Sequence, residues 1–149
     1  MRQVYGWLLD DTGRVLVQDV GTVFNLPGGS PEEFDGDDPA VTLRREAMEE
    51  SQVTLSDVVH LGYEETRGAG GELAALVRMA GRIDEFLPRR PDPDGGRLFR
   101  RLMISLEDAP GLLGWGESGI DQARAAGAVA EMQWNLSPRK PTAAAAYAD

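Results

Sequence analysis

The amino-acid sequence predicts a mixed α/β domain, and three observations support this prediction. Short runs near the start of the chain are rich in aliphatic and aromatic residues and are separated by turn residues, which is typical of β-strands. A segment in the first half repeats its apolar side chains at helical spacing. An alanine-rich segment in the second half favours another helix.

The first three strands are expected before residue 28. Val4–Leu9 and Val15–Val20 share a strand pattern and are separated by the turn residues DDTGR, so we predict a β-hairpin. The segment Thr22–Pro27 predicts a short third strand that ends at its proline. The next segment, Gly28–Asp38, is polar and punctuated by glycine, which indicates a surface loop.

A helix is expected to begin at Pro39 and to continue through Ser51. Asp38 is a favourable N-cap, and proline suits the first helical position because its missing N–H has no intrahelical partner there. Apolar side chains recur at helical spacing on the face that we expect to cover the core, at Ala40, Leu43 and Ala47.

The second half of the chain predicts more strands and a second helix. Val58–Arg67 and Glu72–Ile83 are predicted as strands joined by the turn GAGG, and the second is apolar enough to take a central position in a sheet. Pro88–Gly96 is predicted as a loop, and we favour a strand for Arg97–Leu106. The alanine-rich helix is expected at Glu117–Met132.

The length and the last residues predict one domain with a tail. A chain of 149 residues that is 42% hydrophobic has the size of an ordinary globular domain. We predict a single domain over residues 1–136. The final segment, SPRKPTAAAAYAD, is of low complexity, so residues 137–149 are predicted to form a flexible tail.

Composition excludes several classes of function. The sequence has no run of 18 apolar residues, so we expect a soluble, cytoplasmic protein. It has no cysteine and one histidine, His60, which excludes disulfides and thiolate-bound zinc, and a bound metal must therefore be held mainly by oxygen. A net charge of −10 opposes binding to nucleic acid polymers and to anionic membranes, but it permits a small phosphorylated ligand bridged by a divalent cation.

Four charged side chains crowd the end of the first predicted helix: Arg45, Glu46, Glu49 and Glu50. Carboxylates three and four residues apart emerge from one side of a helix and repel one another. One arginine offsets only part of that repulsion, whereas Mg²⁺ or Mn²⁺ would offset the rest, because hard cations prefer oxygen ligands. The alternative interpretation is an ordinary solvated helix face.

This pattern resembles a known motif, the Nudix box, written G-x5-E-x7-R-E-U-x-E-E-x-G-U, where U is a bulky aliphatic residue. The matching segment is Gly28–Val53, GGSPEEFDGDDPAVTLRREAMEESQV, and its Arg45–Glu50 portion carries the R-E-U-x-E-E core. Four departures accompany the match. Asp37 stands where the motif has its first glutamate, with seven residues between it and Arg45, and two extra residues separate it from the glycine pair. Ala47 is small for the aliphatic position, and Gln52 replaces a glycine.

The resemblance implies a Nudix-like α/β/α sandwich with a mixed β-sheet between helices, and a pyrophosphohydrolase activity on a nucleoside diphosphate linked to another moiety. It implies that Mg²⁺ or Mn²⁺ is held by Glu46, Glu49 and Glu50, with a backbone carbonyl of Gly28 or Gly29 completing the shell. Gly29 is also a candidate for substrate binding. A homodimer is common in the family, and we keep it as an expectation.

The resemblance leaves the general base open. We favour Glu49 or Glu46 as proton acceptor, with Arg45 as the residue that orients a glutamate. The less favoured candidates are acids from a later loop, namely Glu85, Asp92 and Asp94. Substrate choice is expected to depend on two loops, Thr66–Gly71 and Pro88–Gly96.

Other candidate residues have simpler interpretations. A basic set close to the second loop, in which Arg97 is the candidate for binding a substrate phosphate, is more often ion-paired surface; it comprises Arg89, Arg90, Arg97, Arg100 and Arg101. The aromatic residues that could stack on a base are more often core; they are Tyr5, Trp7, Trp115 and Trp134. Two other functions stay open: a Nudix-like module that binds a nucleotide or metabolite without cleaving it, and an acidic interaction protein.

Overall fold

A mixed eight-stranded sheet forms the centre of the computed structural model, which describes residues 2–149. The strands are β1 Arg2–Leu9, β2 Val15–Asp19, β3 Phe24–Asn25, β4 Gly28–Gly29, β5 Val53–Arg67, β6 Leu73–Phe86, β7 Arg100–Ile104 and β8 Ala146–Tyr147. The helices are α1 Pro39–Glu46, α2 Ala109–Leu113 and α3 Gly116–Trp134. A π-helical turn, Ala47–Ser51, continues α1, and a short 3-10 turn, Glu33–Asp35, precedes it.

The sheet runs in the order β5-β6-β1-β2-β7-β8, with β3 beside β2 and β4 beside β1. β1 pairs in parallel with β6 along its whole length, and the other pairs are antiparallel. The prediction of a central position for the apolar strand β6 is confirmed. β1 and β2 form the predicted hairpin, whose turn is held by the Asp10 carboxylate, which accepts hydrogen bonds from the backbone N–H groups of Thr12 and Arg14.

Helices cover both faces of the sheet, as the sequence predicts. On one face α3 buries Ala126, Ala130 and Trp134 against Trp7 and Leu9 of β1, and α2 packs in the same core. The opposite face holds a second core, in which α1 contributes Leu43 against Val4 and Leu8 of β1. Each face of β1 is therefore buried, since its side chains alternate between the two cores. The predicted α/β/α sandwich with a mixed sheet is confirmed.

The predicted start of α1 and the predicted strand at β7 both match the structure. The Asp38 carboxylate accepts a hydrogen bond from the backbone N–H of Ala40 at 2.9 Å, and Pro39 is the first helical residue. β7 forms where a strand was favoured. Gly28–Gly29 differs from its prediction as loop, because these two residues pair with Val4 and Tyr5 of β1. None of the helices in residues 2–149 is long and apolar enough to cross a membrane.

The C-terminal residues differ from the predicted flexible tail. Ala146–Tyr147 pairs with β7 as the last strand of the sheet, and the backbone N–H of Ala148 donates to the carbonyl of Arg101 at 2.8 Å. The Tyr147 hydroxyl donates to Asp19 at 2.6 Å. The alanine-rich composition hid this strand because short edge strands depend on backbone pairing more than on their side chains.

Candidate functional site

The charged end of α1 lies beside a gap in the sheet. β1 and β2 pair only near their hairpin turn, at Leu9 and Val15. Further from the turn β1 pairs with β4 instead, so a gap opens between β4 and β2. The carboxylate of Glu50 reaches this gap. Its Oε1 accepts hydrogen bonds from the backbone N–H of Gly28 at 2.9 Å and from Nε2 of Gln18 at 3.2 Å. Glu50 therefore connects the helix to both sides of the gap.

The two glycines of β4 allow this close approach. A Cβ on Gly28 would lie 2.1 Å from the carbonyl oxygen of Val4, so no other residue fits without moving the strand. A Cβ on Gly29 would lie 2.6 Å from Oε1 of Glu46. Strand packing thus requires glycine at the first position, and at the second position the missing side chain leaves the space that the Glu46 carboxylate occupies.

Arg45 gathers the other carboxylates. Its Nη1 donates to Oε1 of Glu46 at 3.0 Å and to Oε2 of Glu49 at 3.2 Å. Its Nη2 donates to Oδ2 of Asp35 at 2.9 Å and to the carbonyl oxygen of Ser30 at 3.1 Å. One guanidinium therefore fixes two glutamates of the motif and anchors them to the loop before α1.

The acidic partner of Arg45 is Asp35, and the assignment of Asp37 to the first acidic position of the motif is wrong. Asp37 is exposed, whereas the Asp35 side chain is 1% exposed. Counted from Gly29, Asp35 has the five-residue spacing of the motif, so the two extra residues lie between the acid and the arginine. The spacing from Gly29 is therefore the feature of the sequence that identifies Asp35. Hydrogen bonds from Arg45, then from the Glu32 backbone and Thr42, lower the pKa of Asp35 to about 2.

Two half-buried carboxylates of the site, Glu46 and Glu50, have raised pKa values. Burial raises the pKa of Glu50 to about 8 and that of Glu46 to about 7, and their mutual repulsion adds to the effect on Glu50. The charge of Asp92 contributes to both shifts. Carboxylate oxygens are hard donors, and a divalent cation would stabilise the ionised form that burial disfavours. Within residues 2–149, however, no three acidic or histidine side chains form a ready-made metal cluster.

The helix that carries these residues ends in an unusual way. Its last turn, Ala47–Ser51, is π-helical and holds Glu49 and Glu50, and Gln52 follows in the left-handed conformation with φ 52°. The Gln52 side chain donates to the carbonyl of Glu49 at 2.8 Å and accepts from the backbone N–H of Arg90 at 3.1 Å. The residue that replaces the motif's glycine therefore adopts the glycine conformation and also ties the helix to the following loop.

The loop between β6 and β7 contributes one of its candidate residues to the neighbourhood of the site. This residue is Asp92, whose charge contributes to the raised pKa values of Glu46 and Glu50. Glu85 lies on β6, not in the loop, and is exposed, and Asp94 is exposed in the loop. Arg97 is also exposed; its carbonyl accepts from the backbone N–H of Asp92 at 2.7 Å, and within residues 2–149 its side chain has no contact with the site carboxylates.

Three other arginines of the basic set have structural contacts. Arg101 is 2% exposed and donates to three backbone carbonyls. Arg89 pairs with Asp149 at 3.5 Å, and Arg100 lies over the ring of Tyr147. Sequence reasoning missed Gln18, which has no local signal, and Arg78, a buried arginine beside Tyr5.

Solved structures provide the comparison with known proteins. No protein-family model matches the sequence, and no curated protein matches it. A Nudix hydrolase from Nitrosomonas europaea is 19% identical, with a TM-score of 0.64 over 83% of this chain and 88% of that one. A mutator MutT protein from Bacillus halodurans is 16% identical, with a TM-score of 0.63 over 81% of this chain and 78% of that one.

A third similar structure is the Nudix domain of Shewanella oneidensis NrtR, which was solved as a complex with ADP-ribose. It is 18% identical to this chain, with a TM-score of 0.61 over 83% of this chain and 86% of that one. At these identities the likeness concerns the fold. The mixed sheet with helices on both faces agrees with it, and the chain therefore has the fold of the Nudix family.

Proposed function

We propose that the protein is a divalent-metal-dependent hydrolase that cleaves a phosphoanhydride bond in a nucleoside diphosphate linked to another moiety. The observation that carries this proposal is the arrangement around Arg45, which holds Glu46 and Glu49 together while Glu50 lies half-buried at the gap in the sheet. A solvated helix face would leave these carboxylates exposed and free of such a common partner.

The residues that would hold Mg²⁺ or Mn²⁺ are Glu46, Glu49 and Glu50, together with the backbone carbonyl of Gly28. A bound cation would neutralise phosphate charge and make an attacking water more acidic. The raised pKa values of Glu46 and Glu50 support this assignment, because a nearby cation stabilises the ionised form that burial disfavours.

The protein's own groups would position the reactants and accept a proton. Arg45 fixes the orientation of Glu46 and Glu49, one of which would accept the proton of the attacking water. The missing side chain of Gly29 leaves room for the Glu46 carboxylate. Gly29 and Arg97 remain the candidates for substrate binding.

A small nucleotide-type substrate agrees with the comparisons and with the charge of the chain. One similar structure contains ADP-ribose, and others are named as MutT proteins. We propose that the protein acts in the cytoplasm on nucleotides, dinucleotides or nucleotide sugars, without binding nucleic acid polymers or membranes. A homodimer also remains a prediction.

One observation favours a second function, a module that binds a nucleotide or metabolite without cleaving it. Each glutamate of the motif already has a protein partner: Arg45 for Glu46 and Glu49, and the Gly28 N–H and Gln18 for Glu50. These contacts would have to compete with a cation. In this case ligand binding would stabilise the fold and no bond would be cleaved.

A hydrolysis screen read by chromatography of the nucleotide products distinguishes the two functions. Cleavage of these phosphoanhydrides yields a nucleoside monophosphate together with pyrophosphate or a phosphorylated partner. The protein is incubated with nucleoside triphosphates, dinucleotides and nucleotide sugars in the presence of Mg²⁺, Mn²⁺ or a chelator. The hydrolase proposal requires turnover of at least one compound that disappears with the chelator. Absence of turnover throughout, together with a higher melting temperature in the presence of one compound, would assign the protein to the binding class.

A further inference from the structure

A buried arginine without a partner lies on the α3-facing side of the sheet. Arg78, in β6, is 7% exposed, and its Nε and Nη1 are fully buried with no hydrogen-bond partner. Its guanidinium lies between two aromatic rings, 5.3 Å from the centroid of Tyr5 and 4.9 Å from that of Trp115. The rings offset part of the cost of burying the cation, but they accept no conventional hydrogen bond.

Arg101 shows what a structural buried arginine looks like in the same molecule. Its Nε donates to the carbonyl of Ala148 at 2.7 Å, and its Nη1 donates to the carbonyls of Ser51 and Leu87 at 3.1 and 2.7 Å. Arg78 has no such acceptors. A buried charge with unmet donors destabilises a fold, so an arginine kept in this state indicates a ligand rather than a packing role.

Arg78 lies close to the carboxylate site, with Tyr5 between them. Tyr5 pairs with Arg78 across the sheet and with Gly28 on its other side. The charges of Arg78, Glu50 and Glu46 all act on the Tyr5 hydroxyl, although burial is the largest cause of its raised pKa. The nearest acidic influence on Arg78 is Glu64, whose carboxylate is exposed and accepts a hydrogen bond from Ser118.

We propose that Arg78 binds an anionic phosphate oxygen of the substrate, in a subsite that adjoins the carboxylates across Tyr5. A full negative charge fits this position better than a neutral carbonyl, because a carbonyl would leave the buried cation without a counter-charge. This inference rests on the proposed function for the identity of the ligand as a substrate. It assigns Arg78 a role in binding and specificity, beside the residues of the motif.

The first test measures anion binding without turnover. Melting temperatures are recorded in metal-free buffer against increasing inorganic phosphate, with sodium chloride holding the ionic strength constant. The variants are Arg78→Met, which keeps the length of the side chain and removes its charge, and Arg82→Met as the matched control. Arg82 lies four residues further along the same strand, beside Asp10 and Asp84.

We expect phosphate to raise the melting temperature of the wild type and of Arg82→Met to a plateau, and to leave Arg78→Met unchanged. Without phosphate, Arg78→Met should be at least as stable as the wild type, since an unpaired buried charge is removed. An equal phosphate response in Arg78→Met would overturn the inference. Failure of that variant to fold would also overturn it, because the guanidinium would then be structural.

The second test uses a substrate found in the screen. Arg78→Met should raise KM by about tenfold or more while kcat changes little, and Arg78→Lys, which keeps the charge but loses the planar fork, should lie between Arg78→Met and the wild type. Turnover with unchanged KM in Arg78→Met would defeat this inference alone. No turnover on any compound, with the phosphate response intact, would defeat the proposed hydrolase and leave the anion site standing.

Discussion

Asp35 is the most deeply buried carboxylate among the partners of Arg45. We predict that Asp35→Asn lowers the free energy of unfolding by about 2 kcal/mol, because charge-assisted hydrogen bonds to Arg45 are lost inside the protein. Asp37→Asn is the matched control, two residues away and exposed, and it should stay within about 0.5 kcal/mol of the wild type. Urea unfolding measures both values. Equal losses of stability in the two variants would contradict the assignment of Asp35 as the main acidic partner of Arg45.

Glu50 is a proposed metal ligand, and its partial burial disfavours its ionised form when metal is absent. Glu50→Gln should lower turnover by several orders of magnitude, because a proposed ligand loses its charge. In metal-free buffer near pH 8 the same variant should be as stable as the wild type or more stable, since its neutral amide removes a buried charge. Activity assays and thermal unfolding measure the two effects. Full activity in Glu50→Gln would remove Glu50 from the set of metal ligands.

At the scale of secondary-structure elements, Gln52 closes the π-helical turn with φ 52°. Glycine would relieve the left-handed strain but lose the hydrogen bonds to Glu49 and Arg90, whereas alanine would keep the strain and lose those bonds as well. We therefore predict the stability order wild type, Gln52→Gly, Gln52→Ala. Chemical unfolding of the three proteins measures this order, and a Gln52→Gly variant more stable than the wild type would show that strain outweighs the side-chain contacts.

The loop after β6 should respond to the same substitutions. Gln52 contacts it twice, through the backbone bond from Leu87 at 2.8 Å and the side-chain bond from Arg90 at 3.1 Å. Both Gln52 variants lose the second contact. Limited proteolysis within Pro88–Gly96 should therefore be faster in Gln52→Ala than in the wild type. Equal cleavage rates would indicate that the backbone bond alone fixes the loop.

For the whole molecule, three carboxyl groups predict how stability changes with pH when metal is absent. Asp35 has a lowered pKa, so its contribution is present above its unfolded value of 3.8 and is lost as the pH falls through about 2. Glu46 and Glu50 have raised pKa values, so unfolding releases their protons above pH 4.5. Their contribution to stability is lost as the pH rises to about 7 and about 8, respectively.

Mg²⁺ or Mn²⁺ should reverse the loss at high pH. We predict that the rise in melting temperature caused by either ion grows between pH 5 and pH 8, because ionised carboxylates bind a cation and protonated ones do not. Glu50→Gln should reduce this rise. A metal effect that is independent of pH over the same range would contradict binding at these glutamates.

Local signals in the sequence predicted much of this architecture. Asp38 and Pro39 located the start of α1, the apolar run of β6 indicated a central strand, and the charged helix was identified from its spacing. These features depend on neighbouring residues, which a sequence displays directly.

The features that escaped prediction depend on contacts between distant parts of the chain. Gly28–Gly29 has the sequence of a turn and becomes a strand because it pairs with β1. Ala146–Tyr147 lies in a low-complexity segment and becomes a strand because it pairs with β7. In the site, the spacing counted from Gly29 favours Asp35 and the spacing counted from Arg45 favours Asp37, and the folded loop decides between them because it brings Asp35 to Arg45. The pairing of Arg78 with aromatic rings likewise requires β1, β6 and the start of α3 to be assembled.

Arg101 joins three regions that are far apart in the sequence: the end of the charged helix at Ser51, the following loop at Leu87, and the C-terminal strand at Ala148. Transient opening of any one of these regions exposes a buried cation and weakens the other two attachments. The three should therefore exchange their amide hydrogens with deuterium as one cooperative unit. Detachment of the C-terminal strand from Arg101 would therefore loosen the helix end that carries Glu49 and Glu50, although among residues 2–149 the strand forms no hydrogen bond with those glutamates.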